Sequence, residues 1–502
     1  MVSDKQLRAT RPVRPRSTRL SVVADWLGVE SPAGDPEVTG ITLSSHRVLP
    51  GDLYVGLAGA RAHGASYALA AVEAGAVAVL TDSAGGGLTA GLGIPVMVVD
   101  DLRPRLGRLA ARLHGHPTEH MRMIAVTGTQ GKTTTTRLAE EALAGARVHA
   151  AVIGTVGTRV DGEDIPTTLT TPEAPDLHGL FAMMLERGVQ ACAMEVSSHA
   201  LVMGRVDGVV FDVAVFTNLG RDHLDFHKDV EHYFAAKASL FTPERARLGL
   251  VNVDDEFGRR LLAEASIPMR TFALHDSTAD WHVTDVDLAP DGSAFTVVGP
   301  GGVQVRTSVP IPGDFNVANA LSAIAACAEA GYDVEAVAGS LARGSGVPGR
   351  LEQVPVPGGF SVVVDYAHKP DAVEAALTTL RPLTDGRLVV VIGAGGDRDT
   401  GKRPVMGEIA ARLADLVIVT DDNPRTEDPG AIRAEVLAGA RGGHAEVIEV
   451  GNRRDAIREA LARASFGDIV LVAGKGHETG QEVDGVVHPF DDRVVVREEA
   501  AR

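Results

Sequence analysis

Residues 123–136 constrain this chain more than any other stretch. The apolar run Ile124-Ala125-Val126 leads into Thr127-Gly128-Thr129-Gln130-Gly131-Lys132-Thr133-Thr134 and then into a helical pattern with Leu138, Ala139, Ala142 and Leu143 on one face and Gly145 as its stop. Strand, glycine-rich loop, Lys-Thr and helix in that order make a phosphate-binding loop. Gly128 and Gly131 let backbone N–H groups turn inward, with Thr129 and Thr134 beside them; Lys132 reaches terminal phosphates and Thr133 suits Mg²⁺, at a helix N-terminus that favours anions. Val126 stands where the general pattern has a small residue, so the loop is a shortened variant.

The chain around this loop is long and acidic. Its 502 residues suit about three domains, and 45% hydrophobic with 23% charged residues is ordinary for a globular protein. Few aromatics leave Ala, Val and Leu to form the core, which fits helices packed on parallel strands. A net charge of −18 argues against a nucleic-acid partner but not against small anions held by a local nest of N–H groups. Cys192 and Cys327 sit in apolar runs and read as core residues of a reducing compartment. Residues 5–19 are rich in Arg and Pro, and no apolar segment of signal-peptide or membrane-span length follows. The expectation is a cytoplasmic protein with no membrane partner and poor order over the first ~18 residues.

Three α/β regions are expected, bounded at 1–100, 101–345 and 346–502. In the first, 53–55, 77–81 and 95–99 read as strands, 67–74 and 102–114 as helices, and Gly85-Gly86-Gly87 as a loop. In the second, buried-strand runs at 148–153, 190–195, 213–217 and 248–252 surround the phosphate loop. A hairpin is expected at 295–307 and a closing helix at 316–330, before a glycine-rich hinge at 344–349. In the third, strands at 361–364, 388–392, 416–420 and 469–473 each end in a polar loop, where ligands of open α/β sheets gather. Gly393-Ala394-Gly395-Gly396 lacks the third glycine of a dinucleotide fingerprint, and no Asn is followed by Lys as a guanine-reading motif requires.

Three polar residues near the phosphate loop invite chemistry. Glu195 ends a strand and suits Mg²⁺ or a nucleotide role in preference to the alternative of supporting a helix start. His223 follows another strand between Asp222 and Asp225, which favours a metal role over a structural one. Lys237 lies in an apolar helix, where a snorkelling surface lysine is the default.

Together with Leu169-Thr170-Thr171-Pro172-Glu173, Gly349-Arg350, Asp365-Tyr366-Ala367-His368-Lys369-Pro370, Asp422-Asn423-Pro424-Arg425 and Gly474-Lys475-Gly476-His477-Glu478, these motifs resemble the Mur ligase family in order over residues 40–490. Within it they resemble the members that use diaminopimelate. The resemblance implies an N-terminal UDP-binding α/β domain, a central P-loop ATPase domain with a mainly parallel sheet and a C-terminal Rossmann-like domain. It implies ATP-dependent addition of diaminopimelate to UDP-N-acetylmuramoyl-L-alanyl-D-glutamate through an acyl phosphate, by a monomer using ATP and two Mg²⁺ ions.

Carried over by position, it gives Lys132 and Thr133 the ATP phosphates and metal, Glu195 and His223 the metals, and Lys237 a carbamate that binds metal. Ser45, Thr170, Thr171, Ser197 and Arg205 would hold the muramoyl peptide. Asn316 or Asn319, Arg350, Asp365 and His368 would hold the nucleotide, and Arg398, Asp422, Asn423, Arg425, Gly474 and Glu478 would read diaminopimelate. Arg425 and Arg398 suit a carboxylate, and Glu478 an ammonium.

The sequence departs from the family's pattern at Gln130, where Asn is usual, at Gly220, where Ser is usual, at Ser44-Ser45-His46, where Asp-Ser-Arg is usual, and at His63-Gly64, where Asp-Gly is usual. The third removes an Asp and an Arg from the uridine region, with Arg47 one position away as a replacement. The alternatives are a divergent paralogue joining another carboxylate and amino acid, or a non-catalytic relative.

Overall fold

The computed structural model describes residues 7–502 apart from Ala60, Thr168, Leu224 and Asp225. The chain divides into two compact units, 1–282 with 299–301 and 321–340, and 283–298 with 302–320 and 341–502.

Among the described residues the first unit holds two main sheets and the short antiparallel pair Thr18–Arg19 with Glu37–Val38. Near its N-terminus four parallel strands, Gly40–Thr42, Asp52–Gly56, Ala78–Thr81 and Val96–Val98, lie side by side in chain order. Leu20, Val23, Ile41, Leu53, Val55, Leu80, Leu106 and Leu109 bury together as their core, drawn from the strands and from the helices Leu20–Leu27 and Arg103–Leu113. The Gly85-Gly86-Gly87 run is not the loop expected. Ser83–Gly86 is a helical turn, because the Asp82 carboxylate accepts the Gly85 N–H and caps it.

The N-terminal arm also differs from expectation. Residues 1–6 lie outside the described residues, but Arg11 is buried, donates to the Ile41 carbonyl at 3.0 Å and pairs with Asp52 and Asp176. An arginine desolvated against two carboxylates fixes a segment that composition alone marks as loose.

The larger sheet of this unit has a parallel core, in spatial order Ala150–Gly154, Ala191–Glu195, Arg122–Thr127, Phe211–Phe216, Ala246–Asn252, Met269–Ala273 and a strand beginning at Trp281. A hairpin of Gly157–Val160 and Glu163–Ile165, unexpected from sequence, extends its edge antiparallel. The strand before the phosphate loop is thus central. Registers Glu195 to Val126 and Phe216 to Thr127 bring the carboxyl ends of three adjacent strands to one place. Cys192 and Cys327 are free and buried, as expected.

In the second unit the sheet order is Glu352–Gln353, Ser361–Asp365, Ile469–Ala473, Leu388–Ile392, Leu416–Val419 and Glu446–Glu449, parallel except for the first strand. Val362, Val364, Val389, Val391, Ile418, Val470 and Val472 fill its core, the β-branched composition a doubly covered parallel sheet requires. The expected hairpin near 295–307 is present as neighbouring strands Gly292–Gly299 and Val303–Val309. The 344–349 stretch read as a hinge belongs to this unit. Gly349 has φ +65° and a side chain there would strike the backbone of Gly476 and His477. Among the described residues, no helix is long and apolar enough to cross a membrane.

Candidate active site

In the first unit the candidate residues gather at the end of the central strand. Gly131 takes a left-handed conformation, φ +85°, immediately before the helix Lys132–Gly145. Gly128 has φ +152°, and a side chain on it would collide with the Thr217 hydroxyl. The Thr133 hydroxyl donates to Glu195 Oε1 at 2.9 Å, and the same oxygen accepts the Thr155 N–H at 2.7 Å while Oε2 accepts the Thr155 hydroxyl at 3.1 Å. Thr133 and Glu195 therefore form a preset pair of hard oxygen donors, which fits Mg²⁺ at a phosphate loop. Lys132 Nζ curls back onto the carbonyls of Gly128 and Thr129, 2.8 Å from each.

Lys237 is not a snorkelling residue. It is 1% exposed, on the helix Val230–Ala238, and donates to the Gly128 carbonyl at 2.7 Å with its ammonium 4.6 Å from the Tyr233 ring. Burial, with Lys132 nearby, holds its amine well below the usual lysine range.

His223 has φ +54° and pairs with Asp222 at 3.5 Å. Its ring meets His199 edge to face at 4.8 Å and lies 6.1 Å from Tyr233. Leu224 and Asp225, part of the motif that singled it out, lie outside the described residues. Among the described residues, no group of three or more His, Cys, Asp or Glu side chains is arranged for a metal. The oxygen donors brought together are instead the mixed pair of Thr133 and Glu195, to which His223 and a modified Lys237 would add.

Beside this lies a second cluster. The Thr171 hydroxyl donates to the Glu195 carbonyl at 2.8 Å, Arg205 donates to the Thr171 carbonyl at 3.2 Å and pairs with Glu173 at 2.8 Å, and Ser197 caps the helix Ser198–Val202 through the Ala200 N–H. Thr170 and Thr155 hydroxyls are 3.2 Å apart. Four of the five residues expected to hold the muramoyl peptide are thereby linked to one another through Glu195.

Ser45 stands apart, in the 3₁₀ turn Ser45–Arg47 of the N-terminal sheet. Arg47, the candidate replacement for the missing arginine, has its guanidinium bonded to Asp176 and the Thr10 hydroxyl, each at 3.2 Å. His63 is held by Asp82 at 2.9 Å and accepts the Ala65 N–H.

A separate group of candidate residues lies in the second unit, at and after the carboxyl ends of its strands. Asp365 accepts the Leu351 N–H at 2.7 Å, and burial raises its carboxyl pKa against the opposing pull of Arg350. The Arg350 guanidinium lies 5.0 Å from the Tyr366 ring, and His368 bonds the Tyr366 carbonyl at 2.8 Å. Asn316 and Asn319 are both buried, the second donating to the first at 3.2 Å.

Asn423 Nδ2 donates to Glu478 Oε2 at 2.9 Å. Arg425, at φ +52°, pairs with Glu482 at 3.3 Å and donates to the Gly396 carbonyl. Gly474, φ +117°, packs against the Asp422 carboxylate. Arg398 is exposed and is the one residue of this set that no described contact fixes.

Sequence reading missed several residues. Tyr233 joins Lys237 to the loop through the Thr129 hydroxyl at 3.2 Å, Asn218 accepts the Gln130 N–H at 2.9 Å, and Lys475 anchors Asn423 at 2.9 Å. All three lie in stretches around residues already singled out, but none was given a role of its own. A polar residue one helical turn from Lys237 was the available signal.

The Mur ligase family catalytic domain matches residues 37–114, the Mur ligase middle domain 126–327 and the Mur ligase glutamate ligase domain 349–476. Relatives from Streptomyces avermitilis and Streptomyces coelicolor, both named UDP-N-acetylmuramoyl-L-alanyl-D-glutamate–2,6-diaminopimelate ligase, are each 54% identical over 495 residues, 97% of this chain and 97% of theirs. A solved structure carrying the same enzyme name superposes with a TM-score of 0.70 at 34% identity, covering 97% of this chain and 99% of that one. The chain belongs to the Mur ligase family.

Proposed function

We propose that this protein is an ADP-forming acid–amino-acid ligase that adds diaminopimelate to UDP-N-acetylmuramoyl-L-alanyl-D-glutamate, a step of peptidoglycan precursor synthesis. The observation that carries this reading is 54% identity along nearly the whole of relatives so named, in a chain whose strand ends gather the motif residues described above. The N-terminal region (1–100) takes the UDP substrate, the central region (101–345) ATP, and the C-terminal region (346–502) the amino acid. A nucleotide-linked substrate and ATP place the reaction in the cytoplasm.

The dipeptide carboxylate attacks the γ-phosphorus of ATP and ADP leaves, giving an acyl phosphate. The amine of diaminopimelate then adds to the acyl carbon, and the tetrahedral intermediate expels phosphate with loss of a proton from nitrogen. Lys132 turns from the loop carbonyls to the terminal phosphates, and the loop N–H groups hold the rest of the chain of phosphates. Thr133, Glu195 and His223 would hold Mg²⁺, which offsets the charge developing on the transferred phosphoryl group. Thr170, Thr171, Ser197 and Arg205 orient the muramoyl dipeptide, the acyl donor, with Ser45 at the uridine end. Arg350, Asp365, His368 and the Asn316–Asn319 pair serve the nucleotide. Arg425, Arg398 and Asn423 take a carboxylate and Asp422 and Glu478 an ammonium, with Gly474 giving the backbone room.

The test is phosphate release with ATP and the UDP-linked dipeptide across meso-diaminopimelate, LL-diaminopimelate and lysine. Release that depends on a diaminopimelate and not on lysine is expected. Equal release without any amino acid would overturn the reading.

A further inference from the structure

Lys475 has no role in the reading above, yet it is the most enclosed cation of the amino-acid site. It follows the strand Ile469–Ala473 and is 0% exposed. Its ammonium donates to Asn423 Oδ1 at 2.9 Å and to Glu478 Oε2 at 3.3 Å, and lies 3.6 Å from Asp422 Oδ1.

These contacts close a ring. Asn423 Oδ1 also accepts the Glu482 N–H at 3.0 Å, so two donors point at that atom and the amide nitrogen must face Glu478, to which it donates. A lysine has only donors and no acceptor, so it reads which end of the Asn423 amide is oxygen. Without it, one of the two donors that set the amide is lost. The charge count points the same way. Asp422 and Glu478 bring two carboxylates to the ring and Lys475 one ammonium, which leaves a net negative charge facing any amino acid bound there. Asp422 is 6% exposed, and no hydrogen-bond donor among the described residues reaches its Oδ1. A buried acceptor left open beside a satisfied ring is where a ligand ammonium gains most.

We propose that Lys475 is a positioning residue for the amino-acid substrate: it locks the amide of Asn423 and the carboxylate of Glu478 in one orientation and offsets one of the two carboxylates of the Asp422–Glu478 ring, leaving the other to meet an ammonium of diaminopimelate. The proposal rests on the diaminopimelate reading. It concerns how the site is built, whereas that reading concerns what enters it.

The experiment is a double-variant cycle on the full-length enzyme, reading KM for diaminopimelate, KM for ATP and kcat for the wild type, Lys475→Met, Glu478→Gln and the double variant. Lys475→Met should raise the diaminopimelate KM tenfold or more, change the ATP KM less than twofold and leave kcat at saturation within threefold. On the Glu478→Gln background the same change should cost less than threefold, because the two residues act as one unit. Effects that multiply independently, or a Lys475→Met enzyme with an unaltered diaminopimelate KM, would overturn the proposal.

Lys475→Met alone leaves two carboxylates without their cation, so its folding is checked by circular dichroism. Lys475→Arg then decides the matter by keeping the charge: a diaminopimelate KM raised less than in Glu478→Gln, with the ATP KM unchanged, supports it, and equal damage to both KM values overturns it. A wild-type enzyme releasing no phosphate with diaminopimelate would instead defeat the substrate assignment, and that control is run first.

Discussion

The Lys237 ammonium and the Gly128 carbonyl are 2.7 Å apart, so a fully buried helix residue is tied to the glycine that opens the phosphate loop. Burial lowers the amine pKa and so raises the fraction of neutral amine, the form that combines with CO₂ to give a carbamate and a proton. Lys237→Ala is expected to lose nearly all activity and to recover part of it with added short carboxylates. Turnover in carbonate-free buffer should rise on adding bicarbonate. An unmodified ammonium in a well-resolved map of the active, Mg²⁺-loaded enzyme would defeat this.

Gly128 itself offers a sharper test of the loop. Its φ of +152° and the collision a side chain would make with the Thr217 hydroxyl leave no room for alanine. Gly128→Ala should raise the ATP KM at least tenfold while the diaminopimelate KM moves little. Gly301, also at positive φ but with open space around it, is the control: Gly301→Ala should change neither.

What the sequence made legible follows from what is local. The phosphate loop, the strand runs and the ends of strands where Glu195, Asp365, Asp422 and Gly474 sit are written in short contiguous patterns, and the structure has them within a residue or two. The arm at 7–19 was misread because its order comes from Arg11 reaching Asp52 and Asp176, partners 41 and 165 positions away. The edge hairpin Gly157–Val160 with Glu163–Ile165 was missed because such short polar strands gain their pairing only from the sheet beside them. Arg47 looked available for the same reason that Lys237 looked exposed: neither partner nor burial is visible along the chain.

Arg425 is expected to choose the amino acid. In the structure its guanidinium pairs with Glu482, which marks it as a carboxylate reader. Removing a charge-assisted contact costs about 1.5–3 kcal/mol, or roughly one to two orders of magnitude in affinity. Arg425→Ala should therefore raise the diaminopimelate KM about tenfold or more with the ATP KM unchanged, in steady-state phosphate-release assays. Equal rises in both would remove the assignment.

Acid should destabilise the first unit through two buried histidines. Burial lowers the His114 pKa from 6.5 to about 3 and the His178 pKa from 6.5 to about 4. Between those values and 6.5 the unfolded chain binds more protons than the native one, so stability rises with pH across this window and is lost as pH falls below about 6.5. Going from pH 6.5 to 5 costs about 2 kcal/mol for each histidine, at 1.36 kcal/mol per pKa unit. His178 bonds the Asp207 carbonyl at 3.0 Å, and Gln can supply that donor without titrating. Denaturant unfolding of His178→Gln should show a pH slope shallower by about one proton, and an unchanged slope would count against a buried neutral imidazole.

The last prediction concerns the uridine end. Ser44 is extended, its N–H donating to the Thr42 hydroxyl at 3.2 Å, and His46 is exposed. Relative to the family pattern two charged partners are missing here, and Arg47 is bonded to Asp176 and Thr10. On the proposed reading the UDP-linked substrate is held by Ser45, backbone groups and the muramoyl-peptide cluster. Each restored charged hydrogen bond is worth about 1.5–3 kcal/mol when buried and less in a wet groove. Ser44→Asp with His46→Arg should accordingly lower the KM for the UDP-linked dipeptide by threefold or more and leave the diaminopimelate KM unchanged. Arg47→Ala should instead loosen the link to Asp176 and lower thermal stability, with no selective effect on that KM. If the double change abolishes binding while the unmodified protein ligates a carboxylate without UDP, the site has diverged toward another substrate.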